Sequence, residues 1–152
     1  MRLSDSAIHR ALPDEAATAA LARAVADRLR PGDAVLLEGP LGAGKTAFAR
    51  AALRHLTGDP ALEVPSPSYT LLQSYDTPRG PVHHYDLWRL DGPADLAELG
   101  WEEARADIVL VEWPDRLGAL RPADALTIAF RHAGGDARTA ALAGWPGRLE
   151  AL

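Results

Sequence analysis

The segment Gly39-Pro40-Leu41-Gly42-Ala43-Gly44-Lys45-Thr46 constrains this chain more than any other, because it matches the phosphate-loop pattern G-x-x-x-x-G-K-[ST] at every required position. Such a loop needs a strand before it and a helix after it, and both are predicted. Ala34 to Leu37 is a short apolar run that reads as a buried strand. Lys45 to Leu56 carries Phe48, Ala52 and Leu56 on one helical face and stops at Gly58. Between them the glycines let successive backbone N–H groups turn inward without Cβ clashes, and the helix N-terminus adds positive partial charge. Lys45 is the sole lysine in a chain whose other basic residues are all arginine. A compact ammonium has been kept where it must reach between the β- and γ-phosphates of a nucleotide. Thr46 offers a hydroxyl to Mg²⁺. These residues point to nucleoside triphosphate chemistry.

At 152 residues and 47% apolar composition, the chain is expected to form one globular domain, residues 1–152, with a single core. It has no cysteine, which excludes disulfide and thiolate chemistry and agrees with a reducing compartment. The N-terminal residues lack an apolar signal core and no stretch is long enough to span a bilayer, so a soluble, cytoplasmic protein is expected. The net charge is −5, with acids and bases interspersed rather than clustered. No surface is evidently built to neutralise a nucleic-acid backbone unaided, so any RNA would be held through another protein.

The element pattern is mixed. Leu12-Pro13-Asp14-Glu15 opens a predicted helix reaching Arg30, with Ala17, Leu21, Ala24, Val25 and Leu29 on one face and Pro31-Gly32 ending it. Residues 64–68 cannot be regular. Tyr69 to Tyr75 and Val82 to Trp88 read as a β-hairpin, and Ala94 to Leu99 as a short helix. Ile108 to Val111 reads as a buried strand, and Ala125 to Phe130 with Ala137 to Ala143 as a strand pair around Gly134-Gly135. The fold class expected is α/β: a P-loop NTPase-like domain whose mixed sheet is parallel near the phosphate loop, antiparallel at an edge and flanked by helices.

A phosphate loop alone does not complete a metal site. Asp107 to Glu112 is an apolar strand that delivers an acid at its C-terminal end, where the second metal-coordinating carboxylate of this fold class stands, so Glu112 is the candidate. Asp86 lies in a strand whose alternation puts His84, Asp86 and Trp88 on one face; a strand disfavours aspartate, which suggests that it serves a site. Ser66-Pro67-Ser68-Tyr69-Thr70 supplies hydroxyls from Ser66, Ser68 and Thr70 on a proline-stiffened segment suited to a γ-phosphate-sensing switch. His83 and His84 face opposite ways with no cysteine to assist, and read as structural. Trp113 follows Glu112 directly and is expected to lie near enough to the nucleotide to report binding by fluorescence.

Taken together, GPLGAGKTAF at Gly39 to Phe48, SPSYTLL at Ser66 to Leu72, HYDLWRL at His84 to Leu90 and VEWPD at Val111 to Asp115 resemble the successive signatures of the TsaE family, the small P-loop ATPase of bacterial tRNA threonylcarbamoyladenosine synthesis. The resemblance implies that Thr46 and Glu112 coordinate Mg²⁺. Gly39, Leu41, Gly42, Ala43, Gly44, Lys45, Thr46 and Ala47 would form the nucleotide loop, with Glu15 and Arg138 near the nucleotide. Lys45, Asp86 and Glu112 would be needed for hydrolysis, and Ser66 to Thr70 would act as a switch-like loop. It also implies ATP as the nucleotide, a TsaB-TsaD assembly as the partner, and tRNA engaged only indirectly. The chain departs from the family pattern at Pro40, Ala47, Ser68-Tyr69 and Trp88; none of these is a metal ligand, so the nucleotide site stands while kinetic detail is affected.

The chemistry expected is phosphoryl transfer to water. Lys45 and backbone amides would stabilise charge on the β–γ bridge, and Asp86 or Glu112 would position the water. Turnover by the protein alone is expected to be slow and partner-stimulated, because no cis arginine is evident beyond Arg89, whose face the sequence leaves open. Two other classes stay open at this level: a small-molecule kinase and a non-catalytic ATP-dependent interaction module. A GTP-driven switch is disfavoured, since the chain has no asparagine and no second lysine with which to build the usual guanine motif.

Overall fold

The computed structural model describes residues 7–65, 71–145, 148–149 and 152. Seven strands form one sheet: β1 (Ile8–Leu12), β2 (Ala34–Glu38), β3 (Leu72–Thr77), β4 (Gly80–Asp86), β5 (Ile108–Glu112), β6 (Leu126–His132) and β7 (Arg138–Ala143), in the order β1-β7-β6-β2-β5-β4-β3. The centre, β6-β2-β5-β4, is parallel, and the β3–β4, β6–β7 and β1–β7 pairs are antiparallel. The parallel centre is as expected, and antiparallel pairing borders it on both sides. Central strands of a parallel sheet are covered on both faces, which is why β2 and β5 are apolar throughout rather than alternating.

Period-two alternation divides the core. Val35, Leu37, Ile108, Leu110, Val82 and Ile128 face α1 (Glu15–Ala26) and α2 (Lys45–Thr57). Leu36, Val109, Val111 and Tyr85 face the other way. They pack under the 3-10 segments Pro93–Leu99 and Pro114–Leu120 and the single-turn helix α3 (Trp101–Ala104). Tyr85 is wedged edge-on against Trp101 at 5.3 Å, and its hydroxyl donates to the Leu99 carbonyl.

Two sequence expectations are corrected here. The helix expected from Leu12 to Arg30 is shorter at both ends. Leu12 belongs to β1, an edge strand that pairs with β7, and the helix proper starts after Asp14, whose side chain accepts from the Ala17 N–H as an N-cap. At the other end the chain tightens into i→i+3 bonds, Arg28 to Val25 and Leu29 to Ala26. The Arg79 guanidinium claims the carbonyls of Ala26 and Leu29 before Pro31 stops the helix. In the hairpin, β3 starts at Leu72 and β4 ends at Asp86, so Trp88 lies beyond the strand; Tyr69 and Thr70 fall outside the described residues.

This topology creates the site. β2, β4, β5 and β6 run the same way, so their C-terminal ends share one edge of the sheet. The turn from β1 into α1 and the start of β7 lie at that edge too. Crevices for ligands in open α/β sheets lie at such an edge.

Candidate nucleotide site

The phosphate loop joins β2 to α2, and its conformation depends on glycine. Gly39 (φ 137°) and Gly44 (φ 117°) both have backbone angles that side-chain-bearing residues avoid, and a Cβ at Gly39 would come within 2.6 Å of the Phe130 carbonyl oxygen. Gly44 is the N-cap of α2, so the first turn of that helix opens onto the cleft. Phe48 fastens the helix to the sheet by an edge-on contact with Phe130 at 5.8 Å. Ala43 is fully buried beneath the loop, whereas Leu41 projects outward at 83% exposure.

Lys45 is buried at the base of the loop. Its Nζ donates to the carbonyls of Gly39 at 2.5 Å and Pro40 at 2.9 Å, and lies 4.3 Å from the centroid of the Trp113 ring. Burial pushes its pKa below the ordinary lysine value, and the carboxylates of Glu112 and Asp86 oppose that shift. Trp113 has left-handed backbone angles (φ 60°, ψ 54°), rare for a large side chain and of the kind that gathers at functional sites.

Glu112 ends β5 and is 2% exposed. Its Oε1 accepts from the Thr46 hydroxyl at 2.8 Å, and its Oε2 is 2.7 Å from His84 Nε2. Asp86 is its register partner on β4, also buried, and receives the Trp88 N–H at 3.4 Å. Two acids, one lysine and one hydroxyl from separated stretches of chain therefore meet at one edge of the sheet.

A cleft of about 1100 Å³ opens over them. Gly42, Gly44, Lys45, Thr46, Ala47, Leu41, Asp86 and Glu112 line it, and so do Glu15 at the first turn of α1 and Arg138 on β7. Gly39 and Ala43 belong to the loop but are not among the residues lining the cleft. Arg138 Nη2 donates to the Gly42 carbonyl at 3.0 Å, and its Nη1 to the carbonyls of Gly135 and Ala137. Arg89 is exposed, with its guanidinium 4.9 Å from the Trp88 ring centroid, and is not among the residues lining the cleft. The switch-like segment with Ser66, Ser68 and Thr70 lies outside the described residues.

Sequence patterns did not associate Asp14, Arg50, Asp136 or His84 with the cleft. The first three line it; His84 touches Glu112 from behind. His83 and His84 do diverge as expected: His83 bonds Asp107 and Ser74, away from the cleft. The signal available for His84 was its two-residue offset from Asp86, which puts both on one strand face.

Among the described residues no group of three or more His, Cys, Asp or Glu side chains could hold a metal alone. The pair Thr46 hydroxyl and Glu112 carboxylate nonetheless suits Mg²⁺, a small hard ion that takes one or two protein oxygens and fills its octahedron with water and phosphate oxygens.

A phosphate loop between the central strand of a parallel-centred sheet and the helix behind it defines a P-loop NTPase-like fold, and a solved structure agrees: YdiB from Bacillus subtilis superposes with a TM-score of 0.74 at 27% identity, over 96% of this chain and 91% of that one. Residues 12–140 match the family model described as Threonylcarbamoyl adenosine biosynthesis protein TsaE. The chain belongs to the TsaE family. Among its relatives named tRNA threonylcarbamoyladenosine biosynthesis protein TsaE, that of Rickettsia felis is 44% identical over 105 residues, 68% of this chain and 61% of that protein. The Bacillus subtilis relative of the same name is 33% identical over 142 residues, 92% of this chain and 86% of that protein. The match thus spans about three fifths of the Rickettsia felis protein. Among the described residues no helix is long and apolar enough to cross a membrane.

Proposed function

We propose that this protein is a single-domain, Mg²⁺-dependent ATPase of slow intrinsic turnover. It serves the N6-threonylcarbamoyladenosine modification of tRNA in the cytoplasm and acts with a TsaB-TsaD-type complex. The observation that carries the nucleotide half of this reading is the 2.8 Å bond between Thr46 Oγ1 and Glu112 Oε1 at the first turn of α2, beside the Lys45 ammonium. The family and the names of its relatives carry the tRNA half.

Bound Mg²⁺ would draw charge from the phosphates. Thr46 and Glu112 are the residues that would hold it. Lys45 would exchange its loop carbonyls for phosphate oxygens, which costs little because those carbonyls are poor substitutes for an anion. The loop N–H groups and the open end of α2 would take the remaining phosphate charge. Asp86, buried next to Glu112, is the residue suited to orient the attacking water. Glu15 and Arg138 would border the nucleotide on the cleft's outer walls. The switch role of Ser66, Ser68 and Thr70 belongs to the same proposal.

The partner is proposed to complete or reshape the site, which would raise a slow intrinsic turnover. ATP turnover measured with and without TsaB-TsaD tests this. Slow release of phosphate by the protein alone and a marked rise with the complex are expected; full activity alone, unaltered by the complex, contradicts it.

A further inference from the structure

We infer that His84 is the positioning residue for Glu112, holding the carboxylate by an Nε2–H hydrogen bond so that its other oxygen faces Thr46. The inference rests on the reading of Glu112 as a magnesium ligand and adds a residue that does not itself touch the ion.

The register sets up the contact. His84 pairs with Leu110 across β4 and β5, and Asp86 with Glu112, so His84 is the diagonal neighbour of Glu112 on the same sheet face. Its side chain is fully buried, and Nε2 lies 2.7 Å from Glu112 Oε2. The other ring nitrogen, Nδ1, is buried with no hydrogen-bond partner among the described residues. An ionised carboxylate only accepts, so Nε2 carries a proton. Nε2 is therefore the side of the ring that donates to the carboxylate.

The consequence concerns Glu112. A glutamate has three side-chain torsions, and an untethered one would sample several rotamers at the end of β5. With Oε2 tied to His84 and Oε1 receiving the Thr46 hydroxyl, both oxygens are held in register with the phosphate loop. Partners of this kind behind a metal ligand typically matter by about 10–100-fold in metal affinity.

The test compares His84→Gln, His84→Asn and His84→Leu in the full-length protein, titrating Mg²⁺ against binding of a non-hydrolysable ATP analogue. Parallel binding in EDTA reports whether the loop is folded. A glutamine amide can reach the Nε2 position, whereas an asparagine amide stops near Nδ1 and leucine has no donor. The Mg²⁺ requirement is expected to rise about 10–100-fold in the Asn and Leu variants and to stay near wild type in Gln, with EDTA binding kept in all three. Wild-type Mg²⁺ dependence in His84→Leu, or a Gln variant as impaired as Leu, overturns the assignment. So does ¹⁵N NMR of the wild-type ring showing the proton on Nδ1. If wild-type binding is itself indifferent to Mg²⁺, the magnesium reading of Glu112 and Thr46 falls, and the inference with it.

Discussion

Arg138, on the antiparallel strand β7, donates to the carbonyl of Gly42 at 3.0 Å, tying the edge hairpin to the phosphate loop. His132, at the end of β6, approaches the neighbouring Leu41 carbonyl at 3.3 Å. The loop is thus supported from the β6–β7 side as well as by its own glycines. Arg138→Ala is expected to weaken ATP and ADP binding together, by roughly tenfold, the scale of one hydrogen bond from a charged donor. Calorimetry that finds both affinities unchanged removes Arg138 from the site.

Lys45→Ala and Glu112→Ala should both lose hydrolysis, but for different reasons. Without Lys45 the phosphates lose their compensating charge, so nucleotide affinity itself falls. Without Glu112 the defect should appear as a weakened Mg²⁺ dependence, with binding in EDTA largely retained. Identical Mg²⁺ titrations for wild type and Glu112→Ala would count against the proposed ligand set.

Gly39→Ala is expected to disrupt the loop. The added methyl meets the Phe130 carbonyl oxygen at 2.6 Å, and the backbone angle already suits only glycine. A cost of about 1–3 kcal/mol, the scale of such local strain, should lower the thermal midpoint and diminish nucleotide binding. Gly134→Ala is a useful comparison, because a methyl added there would have nothing within 4 Å although the φ is also positive. Equal losses in the two variants would assign the effect to backbone angle alone and not to the clash with Phe130.

Trp113 should report occupancy of the cleft. Its ring sits 4.3 Å from Lys45 Nζ, and bound phosphate would redirect that ammonium. Trp113→Phe is expected to abolish most of the tryptophan fluorescence change seen on adding ATP. Retention of the full change in that variant would assign the signal to another tryptophan, such as the cleft-lining Trp88.

Acid stability should depend on the pair Asp33 and Arg148. Burial raises the Asp33 carboxyl, but bonds from Arg148 and from the Arg30 N–H outweigh it and leave the pKa below the ordinary 3.8. A carboxylate with a depressed folded-state pKa stabilises above its unfolded value, and that contribution is lost as pH falls through the folded value. Asp33→Asn should therefore be less stable than wild type at neutral pH. The difference should begin to shrink below the unfolded carboxyl value, about 3.9, and vanish as pH falls through the lower folded value. A stability gap constant from about pH 7 down to about pH 2 would exclude this linkage.

Much of the site was legible because phosphate binding is local chemistry. Gly39 to Thr46 must be contiguous to fold around an anion, and an acid at the end of an apolar strand announces Glu112. The strand Ile8–Leu12 was not legible: Ile-His-Arg-Ala-Leu has little β character of its own and is ordered by pairing with β7. The end of α1 is not legible for a related reason, since Arg79, about fifty residues away, captures the carbonyls that would have continued it.

From the amino-acid order alone came the phosphate loop, the lone ammonium, the two acids and the family likeness, each encoded by neighbours along the chain. Only the folded sheet decided that His84 backs Glu112 and that Asp14, Arg50 and Asp136 share the cleft, and it gave the Thr46–Glu112 pairing implied by the family likeness its geometry. Those relations depend on which strands lie side by side and in what register, and that choice is made by burying the apolar faces of β2 and β5 together, across stretches of chain that no local pattern connects.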